Sequence, residues 1–357
     1  MYPRLNIDLT KLKENLNAVS RITKQQGGFS MMIVTKGLCA EPGLTDLLLS
    51  HPEVDFIADS RIQNIKTFAG RGKKTVLLRL PMASEISDVV RYVDLSFNSE
   101  METIRLLKKE AEKQGRVHDI LLMIDLGDLR EGIFYQDEDQ IFAVVEECLA
   151  CEHIRLYGIG VNLTCYGAVI PKEDNLSILV ETGRKIEEKF KIHLEMISGG
   201  NSSSIYLAER GELPKGINNL RLGEAFLLGN DTAYGTRLPG TADDALILEA
   251  QIIELKHKRS LPIGEIGVDA FGQRPVYEDR GVIKRAILAI GKQDTDPESM
   301  IPLDEKIDIL GASSDHLILD VSKSDKAYQV GDIISFRLSY SGMLKCATSR
   351  YVEKVYL

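Results

Sequence analysis

Residues 30–37 read SMMIVTKG: four consecutive apolar residues, then Thr35, Lys36 and Gly37. The run is too short for a helix and lacks the alternation of a strand wetted on one face. It fits a buried parallel strand whose C-terminal end opens into a loop. The format recurs at 54–59 (VDFIAD), 75–80 (TVLLRL), 93–98 (VDLSFN), 119–127 (DILLMIDLG), 154–162 (IRLYGIGVN), 192–200 (IHLEMISGG) and 218–229 (NNLRLGEAFLLG). Amphipathic stretches of helical length separate these runs, among them SEMETIRLLKKEAEKQG, EDQIFAVVEECLAC and LSILVETGRKIEEKF. Eight strand candidates with intervening helices predict an α/β protein built on a TIM-like (β/α)8 barrel; an open doubly wound sheet is the alternative.

Outward from this core the texture changes. Leu9, Leu12, Leu16 and Val19 recur at helical spacing, which predicts a helix over 10–25 with Thr10 as N-cap. Beyond about residue 235, runs such as ALILEAQIIELKH, GVIKRAILAIG, KIDILGASSDHLILDVS and QVGDIISFRLSY are separated by turns and show little helical periodicity. The expected organisation is a barrel over 10–235 and a mainly β domain formed by 236–357 with 1–9, to which RLNID could add a strand.

The 44 Lys and Arg are dispersed against 53 Asp and Glu, giving a net charge of -9. That argues against nucleic acid as a partner and gives no reason for attraction to anionic membranes. The opening residues lack a secretory pattern and no apolar run approaches 18 residues, so a soluble, cytoplasmic protein is expected. The five cysteines, at 39, 148, 151, 165 and 346, are read as ordinary thiols. The six histidines are scattered without paired ligand spacing, and no metal is expected.

In a β/α barrel the chemistry sits at the C-terminal strand ends. Lys36 lies at one. It is either a solvent-facing lysine or an amine held beside a cofactor aldehyde, where low dielectric favours its neutral, nucleophilic form. The stretch ISGGNSSSIYLAERG reads as a strand end, glycines, hydroxyls and a helix start, a pattern suited either to a phosphate cup or to a simple turn and cap. Arg221 would face the mouth from the eighth strand, free to pair with Glu224 or to donate to a ring nitrogen. Arg130 is a further strand-end cation, with Asp125 and Asp128 nearby.

Taken in order, these segments resemble the alanine racemase-like, fold type III pyridoxal-phosphate enzymes, and in particular their alanine/ornithine racemase branch, over essentially the whole chain. The resemblance implies pyridoxal 5'-phosphate on Lys36 of VTKG. It implies a phosphate loop at Gly200, Asn201 and Ser202 of SGGNSS, and a phosphate-binding Tyr340 in LSYSGMLKCATSRYVEKVY. It places Arg221 of LRLGEAFLLG at the pyridine nitrogen and Arg130 of LGDLREG near the cofactor lysine and the substrate carboxylate. An arginine cannot readily deliver a full proton to that nitrogen, so chemistry restricted to α-proton exchange is expected, with transamination disfavoured.

The implied activity is racemisation of an amino acid, a basic one such as ornithine ahead of alanine, with Lys36 as base on one face of Cα. In the family the opposite face belongs to a tyrosine of a partner subunit in a GYADG-like segment. Here AILAIGKQDTD stands in its place, with Lys292 after Gly291, and Asn162 replaces the histidine that accompanies that tyrosine. Lys292 could serve as second base, bind a carboxylate or shape the loop, and His316 is an alternative base. Ser314, Asp315 and Asp294 are candidates for the substrate, the two carboxylates for a distal ammonium. A homodimer with two shared sites is expected. Two other activities are compatible with the resemblance: amino-acid decarboxylation, and a noncatalytic role in pyridoxal-phosphate homeostasis.

Overall fold

In the computed structural model, which describes residues 1–357 apart from the side chains of Gln25 and Gln26, every one of the eight apolar runs forms a strand. The chain divides into two units, Thr10–Ala242, and Met1–Leu9 with Asp243–Leu357. After β1 (Arg4–Ile7), the strands of the first of these units are β2 (Ser30–Val34), β3 (Phe56–Asp59), β4 (Lys74–Leu77), β5 (Leu95–Asn98) and β6 (His118–Asp125). The two-residue β7 (Ile133–Phe134), β8 (Ile154–Gly160), β9 (Met196–Ser198) and β10 (Asn219–Leu222) follow. All are parallel, in the order β5-β4-β3-β2-β10-β9-β8-β6 with β7 on β6, and a β5–β6 pairing closes the ring.

Both faces of these strands are covered, which is why the runs are continuous rather than alternating. Alternate residues point inward: Met32 and Val34, Phe56 and Ala58, Leu95 and Phe97, and Leu121 and Met123 fill the barrel together with Val76 and Met196. Arg221 is in register with Met32, so it takes an inward slot in this apolar stack. Gly160, in register with Met123, leaves its own slot empty of side chain; a Cβ there would lie 2.6 Å from Leu121 Cδ2.

The first helix runs over Leu9–Ser20, one residue earlier than the sequence indicates, so Thr10 lies inside it rather than capping it. Tighter α-helical winding then gives way to a π-helical turn over Arg21–Gly27, ended by Gly28 at φ 70°.

The other unit is a mixed sheet of β11 (Leu246–Arg259), β12 (Val282–Leu288), β13 (Met300–Pro302), β14 (Asp308–Ala312), β15 (Leu317–Asp320), β16 (Ile333–Leu338) and β17 (Glu353–Tyr356). Its order is β13-β16-β11-β12-β15-β14, with β1 antiparallel to β11 and parallel to β17. One helix, Tyr340–Thr348, interrupts the β texture; it buries Met343, Cys346 and Ala347 at helical spacing. No described helix is long and apolar enough to cross a membrane.

One buried titratable group of the barrel unit has a consequence for stability. His118 opens β6, is 1 % exposed and shares a 2.7 Å hydrogen bond with Ser96 Oγ. Burial pushes its pKa down to about 4. Between that value and the ordinary 6.5 an unfolded chain binds a proton that the folded chain refuses, so stability falls as pH drops through this window. The loss amounts to roughly 3 kcal/mol at most. His118→Asn is expected to flatten this part of the pH–stability curve, measured by urea unfolding at pH 7, 5.5 and 4; an unchanged slope would show that other groups set it.

Candidate active site

Lys36 follows β2 after the single residue Thr35 and begins a 3-10 turn, Lys36–Leu38. The residue before it is anchored: Thr35 Oγ1 donates to Asp59 Oδ2 at 2.6 Å and to Ala58 O at 3.2 Å, tying the ends of β2 and β3 together. Asp59 in turn accepts from Arg61 N and Asn64 Nδ2. After the lysine, Cys39 and Ala40 both take φ of 53°, an uncommon conformation for non-glycine residues. A turn held this firmly on both sides fixes the direction of the lysine stem. Burial pushes the Lys36 ammonium below its ordinary value; the charge of Arg130 adds to this, while Cys165, Asp59 and Glu131 oppose it. The amine is thereby moved toward its neutral form.

Arg221 is 4 % exposed inside the barrel. It donates from Nη1 to Ser198 Oγ at 2.7 Å and from Nη2 to Val161 O at 2.6 Å and Asn162 Oδ1 at 3.3 Å, and its guanidinium lies 5.2 Å from the Phe97 ring centroid. Ser198 passes the bond on to Asn219 Oδ1 at 2.6 Å. Among the described residues no carboxylate pairs with it, Glu224 included, and burial pushes its pKa down to about 10. It is thus a rigid donor, not half of an ion pair.

The glycine and serine stretch divides its work. Ser198 belongs to the Arg221 network, and Ser204 Oγ is spent on Gly199 O at 2.8 Å. Ser202 Oγ accepts from the amides of Gly223 and Ala225, bringing the β9 and β10 loops together. Ser203 Oγ is buried without a partner. Gly200 sits at φ 117°, and a Cβ there would meet Ser204 Oγ at 2.5 Å. Asn201 Oδ1 accepts from Ser203 N at 2.7 Å, and its Nδ2 donates to Leu163 O and Asn162 Oδ1. An orphaned hydroxyl in a glycine-lined bend beside two converging loops fits an anion, so these residues suit a phosphate-bearing cofactor. Glu224, next to the cup, has its carboxyl pushed up to about 7 by burial and then by Asp231, which lessens its repulsion of an anion near neutral pH.

Arg130 pairs with its neighbour Glu131. Asp125 and Asp128, the partners first considered for it, are taken by backbone. Asp125 accepts from Gly127 N and Leu129 N, and Asp128 from Thr164 N, Tyr166 N and Val169 N. Asn162 stands between Arg130 and Asn201: with one amide orientation its oxygen receives Asn201 and Arg221, with the other it receives Arg130. One mouth therefore gathers Lys36, Arg130, Asn201, Ser202 and Arg221. It also contains Cys165, which the composition gave no reason to separate from the other thiols; only its position after a strand end marks it.

The remaining candidates lie in the other unit. Lys292 N donates to Ser313 O, and the Lys292 ammonium rests 4.2 Å from the Phe271 ring centroid. Gln293 N donates to Ser314 O, and Ser314 Oγ to Asp315 Oδ2 at 2.6 Å. Ser314, Asp315 and His316 are exposed on the β14–β15 turn, so Lys292 and these residues form one tip. Asp294 is buried and accepts from Ser349 Oγ at 2.7 Å. Tyr340 is the first residue of the helix Tyr340–Thr348.

A family profile described as alanine racemase, N-terminal domain, matches residues 7–231. The chain is 52 % identical over 354 residues to an ornithine racemase of Acetoanaerobium sticklandii, covering 99 % of both. It is 37 % identical over 358 residues to a lysine racemase of Thermotoga maritima, covering 100 % of this chain and 99 % of that one. Its fold matches the crystal structure of an alanine racemase from Bartonella henselae with covalently bound pyridoxal phosphate, with a TM-score of 0.72, 15 % identity and 99 % of each chain covered.

The bend at Gly200 gives a direct test of the cup. Gly200→Ala forces a side chain into a left-handed conformation and against Ser204, at an expected cost of roughly 1–3 kcal/mol. The denaturation midpoint checks this; a midpoint equal to that of the unmodified protein would mean that the bend relaxes freely.

Proposed function

This chain belongs to the alanine racemase family, and we propose that it interconverts the L and D forms of a basic amino acid, ornithine foremost, by exchanging the α-proton with the help of pyridoxal 5'-phosphate. The observation that carries the reading is the meeting, at one barrel mouth, of an amine driven toward neutrality, Lys36, with a buried arginine that has no carboxylate partner, Arg221. The substrate class follows the two relatives named for ornithine and lysine.

Lys36 would hold the cofactor covalently, Gly200, Asn201, Ser202 and Tyr340 its phosphate, and Arg221 its ring nitrogen. When bound, the cofactor supplies a sink for the electron pair left as the Cα–H bond breaks. Lys36 Nζ takes the proton from Cα or returns it, and its fixed stem spares the entropy of bringing a base to the carbon. Arg130 orients the substrate carboxylate, for which a guanidinium fork is the matching donor. Arg221, as a donor that keeps its own proton, favours exchange over transamination.

We further propose a head-to-tail homodimer in which the tip carrying Lys292, Ser314, Asp315 and His316 completes the mouth of the second copy. Asp315 is exposed and open to a distal ammonium, whereas Asp294 is buried beneath Ser349. Lys292 and His316 are the nitrogen bases of that tip.

Incubating the purified protein and pyridoxal phosphate with single L-amino acids, then measuring enantiomers and carbon dioxide, tests the activity. D-ornithine without carbon dioxide is expected, and Lys36→Ala should lower its formation by about 10³-fold or more. Release of carbon dioxide would make the protein a decarboxylase, and no D-isomer from any basic amino acid would sink the racemase reading. Light scattering on the active species should find a dimer; a fully active monomer would reject the shared site.

A further inference from the structure

Among the five cysteines Cys165 is the exposed one. Its loop is nevertheless firmly held. Asp128 binds the amides of Thr164 and Tyr166, the residues on either side of it, and Thr164 and Ala168 take positive φ of 73° and 54°. Non-glycine residues keep such conformations only where their surroundings enforce them. The thiol is placed as well: Cys165 Sγ accepts from Asn201 Nδ2 at 3.3 Å and lies 3.8 Å from Asn162 Oδ1. It therefore touches both the phosphate loop and a partner of Arg221.

Strand order sets where this thiol stands relative to the lysine. Going round the ring from β2 the strands are β10, β9 and β8, so the loop after β8 rises three strands away from the end of β2. In a closed ring of eight this is nearly the facing wall. Cys165 and Lys36 are electrostatically coupled across the mouth, and the charge of Cys165 reaches Arg130 and Arg221 as well. An amine and a thiol thus face one space from two walls, and Arg130 and Arg221 lie within electrostatic range of the thiol.

We propose that Cys165 is the second proton-transfer residue of this site, acting on the face of the substrate Cα opposite Lys36. The proposal rests on the racemase reading. In one direction the Cα–H bond breaks toward Lys36 Nζ, and the electron pair forms a new bond to the proton of Cys165 Sγ–H on the other face. An ammonium and a thiolate remain. In the reverse direction the thiolate removes the proton and the ammonium supplies one, and exchange with water resets the pair between turnovers. Both residues belong to the same barrel, so the proton path needs nothing from Lys292 or His316, which are left to bind the substrate.

The test uses full-length protein with pyridoxal phosphate in deuterium oxide, given L- or D-ornithine separately. Proton NMR follows loss of the α-proton, and chiral chromatography follows the enantiomers. Cys165→Ser and Cys165→Ala are expected to lose racemisation by about 10²-fold or more, while one enantiomer still exchanges its α-proton through Lys36 with retention of configuration. Independently of turnover, iodoacetamide labelling of the wild-type protein read by mass spectrometry should modify Cys165, and added pyridoxal phosphate and ornithine should slow it. Variants that racemise within a few-fold of wild type overturn the proposal. Loss of exchange for both enantiomers would mark a structural residue and also overturn it. The same split produced by replacing Lys292 or His316 would move the second face to that tip. If wild type itself yields no D-ornithine, the racemase reading fails and this proposal falls with it; if wild type is active and the variants are unaffected, only Cys165 is reassigned.

Discussion

A guanidinium buried inside a barrel with no carboxylate beside it is costly unless its protons are met by well-placed acceptors. Arg221 is met by a hydroxyl, a backbone carbonyl and an amide, contributed by Ser198, Val161 and Asn162. Ser198 ends β9, and Val161 and Asn162 begin the loop after β8, so the arginine on β10 fixes the relative heights of these three strands as well as its own position. The rest of the mouth inherits that order. Asn162 links the arginine to Asn201, and Ser202 links the loop after β9 to the loop after β10.

The same placement has an electrostatic cost that the site turns to use. Three cations are brought together at the mouth, with Lys36 and Arg221 each in the field of Arg130. Two are guanidinia, which hold their protons, and the third is an amine, which yields. Burial and Arg130 together therefore act on the one member able to change its charge, while Glu131 and Asp59 limit how far the displacement goes. A carboxylate beside Arg221 would have weakened this arrangement, because it would have neutralised the charge that makes the mouth selective for anions.

The barrel was legible because burial on both faces leaves a continuous apolar run, and eight such runs spaced by helical segments admit few closed arrangements. Lys36 and the Gly200–Ser202 bend could be placed for the same reason, since each follows a run that defines a strand, and Arg221 because it interrupts such a run with a charge. What sequence could not show was how polar groups are shared. Ser198 and Ser202 are both serines of one stretch, yet one serves the arginine and the other two backbone amides. Asp125 and Asp128 looked like partners for Arg130 but hold loops, and Cys165 looked like any thiol until Asp128 and Asn201 placed it. The helix at Tyr340–Thr348 was missed because its buried positions, Gly342, Met343, Cys346 and Ala347, are small or weakly patterned beside the strong β runs around it.

The strand β1 lies ahead of the barrel in the chain but, among the described strands, pairs with β11 and β17. On a ribosome that adds about 5–20 residues per second, β1 emerges first and then waits on the order of tens of seconds until β11 and, later still, β17 are made. During that interval its edges are unsatisfied while the barrel behind it is already able to form from its own contiguous residues. Completion of the mixed sheet is thus a late event of long sequence separation, dependent on β17. A nascent or truncated chain would hold a finished barrel beside an open, adhesive edge, which is the kind of intermediate that chaperones are recruited to cover.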